Sequence, residues 1–84
     1  MKLNPFAVMK VEIDGTGVVF SPESNQAMTI NKAGVMIWQA IERGCSDEEI
    51  VRAMLERYEG VTSEQAMKDL QKFKAALIER ELLA

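Results

Sequence analysis

The chain contains no histidine and only one cysteine, Cys45, among its 84 residues. These two residue types supply most protein ligands of zinc and haem, so the usual ligand sets for those groups are missing. A single cysteine also excludes an intramolecular disulfide. Without histidine, no base of the common kind can activate Cys45 or a serine as a nucleophile. The composition therefore predicts that the protein is not an enzyme and that it binds neither a metal nor a cofactor.

Long apolar runs and an excess of positive charge are also missing. No stretch of about 20 apolar residues is present, so no membrane-spanning helix is expected. Lys10 and Glu12 interrupt the apolar residues near the start, which argues against a secretory signal. Ten Lys and Arg against 13 Asp and Glu give a formal net charge of −3, and such a chain repels a phosphate backbone unless its cations share one face. We therefore expect a cytoplasmic protein without membrane or nucleic-acid partners.

Proline and glycine are scarce, at two and five residues, while 48% of the residues are hydrophobic and 27% are charged. These proportions are ordinary for a folded globular protein and argue against disorder. A chain of this length is near the lower limit for burying a core without disulfides or metals. We therefore predict a single domain over residues 1–84.

The first part of the chain alternates between apolar and polar residues, which is typical of strands with one buried face. The apolar set of the first strand would be Ala7, Met9, Val11 and Ile13. The pair Asp14–Gly15 then favours a tight hairpin turn, and a return strand at residues 18–21 follows. Alternation resumes over Gln26–Ile30. Three consecutive strands with short connections predict a small antiparallel sheet.

The rest of the chain changes to helical periodicity. Asn31 can cap a helix over residues 32–43, and Ser46 with Glu49 forms a capping box for a second helix. The acidic residues of that first turn need no catalytic explanation, because negative charge at the start of a helix interacts favourably with the helix dipole. Thr62 begins a third helix in the same way. The order predicts an α+β fold resembling a winged helix-turn-helix, with a three-stranded antiparallel sheet followed by three helices.

The third helix carries two neighbouring stripes. The core stripe is Ala66, Leu70, Phe73 and Leu77. The stripe beside it is Met67, Gln71, Lys74 and Ile78. Two apolar and two polar side chains are a composition suited to the rim of a groove. In the other interpretation, Met67 and Ile78 widen the core face while Gln71 and Lys74 are solvated.

Several strings in this order resemble the PqqD family, the small peptide chaperones of pyrroloquinoline-quinone biosynthesis, and the related RiPP precursor peptide recognition elements. The matching features are the Asn4–Pro5 start, Thr29-Ile30-Asn31 before Ala33-Gly34 and Ile37-Trp38, Gly44, the run from Ser46 to Val51, Leu55 with Tyr58, Asp69-Leu70 before Phe73 and Leu77, and Leu82-Leu83. The family commonly has a glycine shortly before the final apolar pair, where this chain has Glu81. We therefore expect the last helix to run further or to end differently.

The resemblance implies a peptide-binding module that serves a modifying enzyme, typically a radical S-adenosylmethionine protein. In the family, the leader segment of a ribosomally made precursor peptide adds as a further strand to the open edge of the third strand, beside the third helix. Carried onto this sequence, the peptide-binding residues are Gln26, Ala27, Met28, Thr29 and Ile30 on the strand, and Met67, Gln71, Lys74 and Ile78 on the helix.

Two other functions are compatible with the same predicted fold. One is a DNA-binding or regulatory winged-helix domain, although acidic residues balance the cations of the third helix. The other is a structural domain that dimerises by pairing its open strand edge with a second copy. The sequence leaves open whether the protein is a monomer or a homodimer.

Overall fold

The computed structural model describes residues 6–23 and 25–83, so the Asn4–Pro5 start lies outside the described residues. Three strands precede three helices, which confirms the predicted α+β order. The strands are β1 (Val8–Val11), β2 (Gly17–Ser21) and β3 (Gln26–Ile30). The helices are α1 (Lys32–Glu42), α2 (Asp47–Arg57) and α3 (Ser63–Glu79). None of the helices in the described residues is both long and apolar enough to cross a membrane.

The three strands form one antiparallel sheet in the order β1-β2-β3, so β1 and β3 are its edges. Met9, Val19 and Met28 stand opposite one another on the face that packs against the helices. Val19, on the central strand, is fully buried. Because successive side chains of a strand point to opposite faces, the paired residues Phe20 and Ala27 lie on the outer face of the sheet.

The buried face predicted for the first strand is only partly correct. Ala7 and Met9 pack against the core, but Val11 is half exposed and Ile13 is fully exposed. The reason is that β1 ends at Val11. Beyond it the chain turns, and the N–H of Glu12 donates to the carbonyl of Thr16 at 2.7 Å. The side chain of Ile13 therefore lies in the hairpin loop, where the core cannot cover it.

All three predicted helix starts are confirmed. The Asn31 Oδ1 accepts from the Gly34 N–H at 2.8 Å, and the Thr62 Oγ1 accepts from the Gln65 N–H at 3.1 Å. At α2 the Ser46 hydroxyl accepts from the Glu49 N–H, while the Glu49 carboxylate accepts from the Ser46 N–H. Because only Asn31 separates β3 from α1, the direction of the edge strand and that of the first helix are tied together.

The core lies between the inner face of the sheet and the helices. Its largest fully buried side chains include Trp38 of α1, Ile50 of α2, and Leu70 and Leu77 of α3. Leu82 and Leu83 are also buried, so the chain after α3 folds back onto the core.

The end of α3 shows how the chain accommodates Glu81. The helix ends at Glu79, and the N–H of Leu82 donates to the carbonyl of Leu77 at 2.8 Å. Glu81 has φ +60°, a left-handed conformation that glycine adopts at much lower cost. Glu81 therefore follows the helix cap, Arg80, in the backbone conformation that favours glycine, and α3 does not run past Glu79.

Candidate functional site

The outer edge of β3 is the candidate site on the sheet. β2 pairs with one side of β3, and in the sheet that the described residues form, the other side has no neighbouring strand. Gln26, Ala27 and Thr29 are exposed, Met28 is half-buried and Ile30 is buried. The predicted strand residues therefore form one continuous edge, and three of the five are exposed.

The second half of α3 runs beside this edge in the opposite direction. At one end, the ring of Phe73 and the side chain of Ile30 both approach Gly34. At the other end, the Arg80 Nη1 donates to the Ala27 carbonyl oxygen at 3.3 Å. Phe73 to Arg80 rises about 10 Å along a helix, and Ile30 to Ala27 spans about 10 Å along a strand. These two contacts place the end of α3 beside β3, and we infer that the space between them forms a groove.

Gly34 allows the closed end of this groove to form. A Cβ atom at this position would lie 2.9 Å from the Ile30 Cβ and 3.1 Å from the Phe73 Cε1. Contacts this short require the neighbouring groups to shift. The absence of a side chain at Gly34 therefore lets α3 approach the junction between β3 and α1.

Two of the four predicted residues of α3, Gln71 and Lys74, contact Asp47 at the start of α2. The Gln71 Nε2 donates to the Asp47 Oδ2 at 3.0 Å and also contacts the Met67 Sδ at 3.4 Å. The Lys74 ammonium donates to the Asp47 Oδ1 and forms an ion pair with it. Ile78 follows Lys74 by one turn and is half exposed. Their part in peptide binding therefore stays a prediction.

The two flanks of α3 explain this arrangement. Successive residues of a helix are separated by about 100°, so Phe73 and Lys74 face different ends of α1. Phe73 lies at Gly34 near the start of α1, while Lys74 lies in a depression with Ile41 and Cys45 at its end. The helical spacing puts Ala76 and Arg80 on the Phe73 flank. We infer that this flank, whose Phe73 was predicted to be a core residue, borders the β3 groove.

Asp47 is the acceptor of a small polar cluster that the sequence did not indicate. The hydrogen bond from Lys74, aided by the one from Gln71, holds the pKa of the Asp47 carboxyl below its usual value. Lys74 is only 7% exposed, so the pair neutralises a cation that would otherwise be buried without compensation. The cluster therefore fixes the start of α2 against α3.

Residues that could hold a metal are not grouped anywhere in the described part of the chain. Cys45 is a free, half-buried thiol. The arrangement thus offers backbone hydrogen-bonding groups, an apolar floor and one exposed guanidinium at the groove.

Comparisons with known proteins point to one family. A family model described as Coenzyme PQQ synthesis protein D (PqqD) matches residues 16–83. The solved structure of TbiB1 in complex with the TbiA(beta) leader peptide is 31% identical, with a TM-score of 0.88 over 99% of this chain and 94% of that chain. Lasso peptide synthetase B1 complexed with the leader peptide is 20% identical, with a TM-score of 0.87 over 99% of this chain and 95% of that chain.

At 20% identity, the second likeness shows the fold alone. A comparison with curated proteins gave no significant match. The family model, however, covers most of the chain, and the likeness to TbiB1 extends over nearly all of it. The chain therefore belongs to the PqqD family.

Proposed function

We propose that the protein binds the leader segment of a ribosomally made precursor peptide by strand addition along β3 and presents it to a modifying enzyme. The observation that carries this proposal is the accessible edge of β3 beside the Phe73 flank of α3. The likeness to TbiB1, solved with a leader peptide bound, supports it. The PqqD resemblance supports a radical S-adenosylmethionine protein as the modifying enzyme.

Strand addition uses backbone groups that every peptide has, so the edge must direct donors and acceptors outward. In an antiparallel pair, ladder hydrogen bonds alternate along each strand. Arg80 reaches the Ala27 carbonyl, which assigns Ala27 to the outward set. Thr29, two residues on, then belongs to the same set. The leader would bond to the backbone of Ala27 and Thr29, while its alternate side chains enter the groove beside Phe73.

Backbone bonds alone give little selectivity or affinity, because association and ordering of an extended peptide cost several kcal/mol. The groove supplies apolar contacts through Phe73 and Ala76, which are both half-buried, and through Met28 below the edge. Such anchors at alternate positions of the peptide favour affinities in the micromolar range or better.

The test is selection from a phage library of short random peptides, followed by NMR with an enriched peptide. We expect enriched sequences to share apolar residues at alternate positions, and chemical shift changes to fall on β3 and on α3 from Phe73 to Arg80. Absence of enrichment, or shift changes confined to other surfaces, would contradict the proposal.

A pair of variants at Thr29 makes the test specific for the backbone. Thr29→Pro removes one outward N–H at an exposed edge, where proline is tolerated, so we expect a folded domain that binds the enriched peptide at least about tenfold more weakly. Thr29→Ala keeps the N–H and should bind like the original. Circular dichroism confirms folding, and fluorescence anisotropy measures Kd. Equal binding by both variants would exclude strand addition at Thr29.

A further inference from the structure

Arg80 covers one acceptor of the open edge. Its Nη1 donates to the Ala27 carbonyl at 3.3 Å, and its side chain is exposed. This length is beyond the usual range for an N–H···O hydrogen bond. The contact is therefore weak and easily exchanged for another.

An added strand needs the acceptor that Arg80 occupies. Strand addition places a peptide N–H against each outward carbonyl of the edge, and Ala27 carries one of them. A leader that pairs along the whole of β3 therefore displaces the guanidinium from Ala27. Because Arg80 is the C-cap of α3 and lies at the end of the groove, the displaced guanidinium stays beside the peptide.

A guanidinium in this position selects its next partner by charge. A guanidinium is a cation that presents several N–H donors in one plane, which match the two oxygens of a carboxylate. On the basis of the proposed function, we infer that Arg80 is a specificity-determining residue. It selects leaders that carry Asp or Glu at the position beside Ala27.

The overall charge of the protein makes such a local contact more selective. The chain has a formal net charge of −3, so it repels acidic peptides in general. A carboxylate is then favoured only where a cation stands in the groove. Leaders with acidic residues elsewhere along the strand gain no such compensation.

If Arg80 has a purely structural role, replacing it should change peptide affinity in the opposite direction. If Arg80 only covered Ala27, Arg80→Gln would remove a group that the peptide must displace, and every peptide would bind as tightly or more tightly. If Arg80 selects a carboxylate, Arg80→Gln weakens binding of acidic peptides alone.

Selections with the original protein and with Arg80→Glu test the inference. We expect Asp or Glu to be enriched at one fixed position for the original, and Lys or Arg at that same position for Arg80→Glu. A pool enriched in peptides without an acidic preference overturns the role of Arg80 and leaves strand addition standing. If no peptide is enriched, the proposed function itself is contradicted, and the inference with it.

A double-mutant cycle then tests whether Arg80 directly contacts the acidic residue of the peptide. The enriched peptide and its Glu→Gln form are titrated against the original protein and Arg80→Gln. We expect each single change to weaken binding about tenfold and the two together to weaken it little further. Lys72→Gln, which removes an exposed cation of the same helix, is the control and should change binding less than about twofold. Additive losses, or an equal loss in Lys72→Gln, would refute a direct contact.

Discussion

Lys74 is a buried cation whose charge is balanced from another helix. Its side chain is almost fully buried, and its ammonium donates to the Asp47 carboxylate, which also accepts from Gln71. An isolated ammonium at this depth would cost several kcal/mol, and the ion pair offsets that cost. Asp47 therefore contributes to stability mainly through Lys74, in addition to its favourable place at the start of α2.

We expect Asp47→Asn to lower the free energy of unfolding by about 1–2 kcal/mol. The figure is below the range for fully buried pairs, because the Asp47 side chain is 37% exposed and solvent screens the interaction. Glu48→Gln is the matched control, since it removes an exposed charge from the same helix turn and should cost less than about 0.5 kcal/mol. Urea unfolding measures both. Equal losses would mean that the helix dipole, not Lys74, explains Asp47.

The contribution of Asp47 also depends on pH, in a direction set by its pKa. Lys74 lowers the pKa of Asp47 in the folded state, while the unfolded chain has the ordinary value of about 3.9. The stability difference from Asp47→Asn is therefore full well above about pH 4 and is lost as the pH falls through the folded pKa. Urea unfolding over a pH series measures this loss. A difference that persists unchanged into strong acid would contradict the ion pair.

At the level of elements, the junction of β3, α1 and α3 sets the shape of the groove. Gly34 sits in the first turn of α1, where the Ile30 and Phe73 side chains close over it. The position of α3 relative to the edge strand thus depends on one missing methyl group.

We expect Gly34→Ala to destabilise the domain by about 1–2 kcal/mol. Overpacking costs about 1–3 kcal/mol, and the better helix propensity of alanine returns up to about 1 kcal/mol. Thermal and urea unfolding measure the net effect, and the enriched peptide should also bind more weakly because α3 moves from β3. Gln39→Ala, at an exposed site of α1, is the control and should leave both the free energy of unfolding and the affinity for the peptide unchanged. A stabilised Gly34→Ala variant with unchanged peptide binding would show that Ile30 and Phe73 can move aside without loss of stability.

Elements specified by nearby residues were predictable from the sequence. Gln26–Ile30 follows from alternation, and the caps at Asn31, Ser46 and Thr62 each involve a residue three positions away. The flank of α3 that faces β3 was not predictable, because it depends on how α3 crosses α1. The Asp47–Lys74 pair joins residues 27 positions apart, and no local pattern marks it.

For the whole molecule, the two edges of the sheet differ in how well they resist pairing with another chain. β1 has four residues and an exposed lysine, Lys10, both of which discourage pairing. β3 has five residues without a charge, and Arg80 contacts its outer edge at the Ala27 carbonyl. β3 is therefore the edge through which a second copy would pair.

We expect a dimer formed through β3 and the leader complex to exclude each other, because both use the same backbone groups. Sedimentation at several protein concentrations should show any self-association disappear when a selected peptide saturates the protein. Thr29→Pro should also reduce it, whereas Thr29→Ala should not. Self-association that persists with saturating peptide would identify a different dimer surface.

If two copies pair through β3, the shared edge would make leader affinity depend on the protein concentration. Mass action makes two copies that pair through β3 compete with the leader in proportion to the protein concentration. Leader affinity measured in dilute solution is then the upper limit, and each rise in protein level weakens the apparent affinity. A protein that pairs in this way would bind its peptide most tightly at low protein concentration and would release it more readily as that concentration rises.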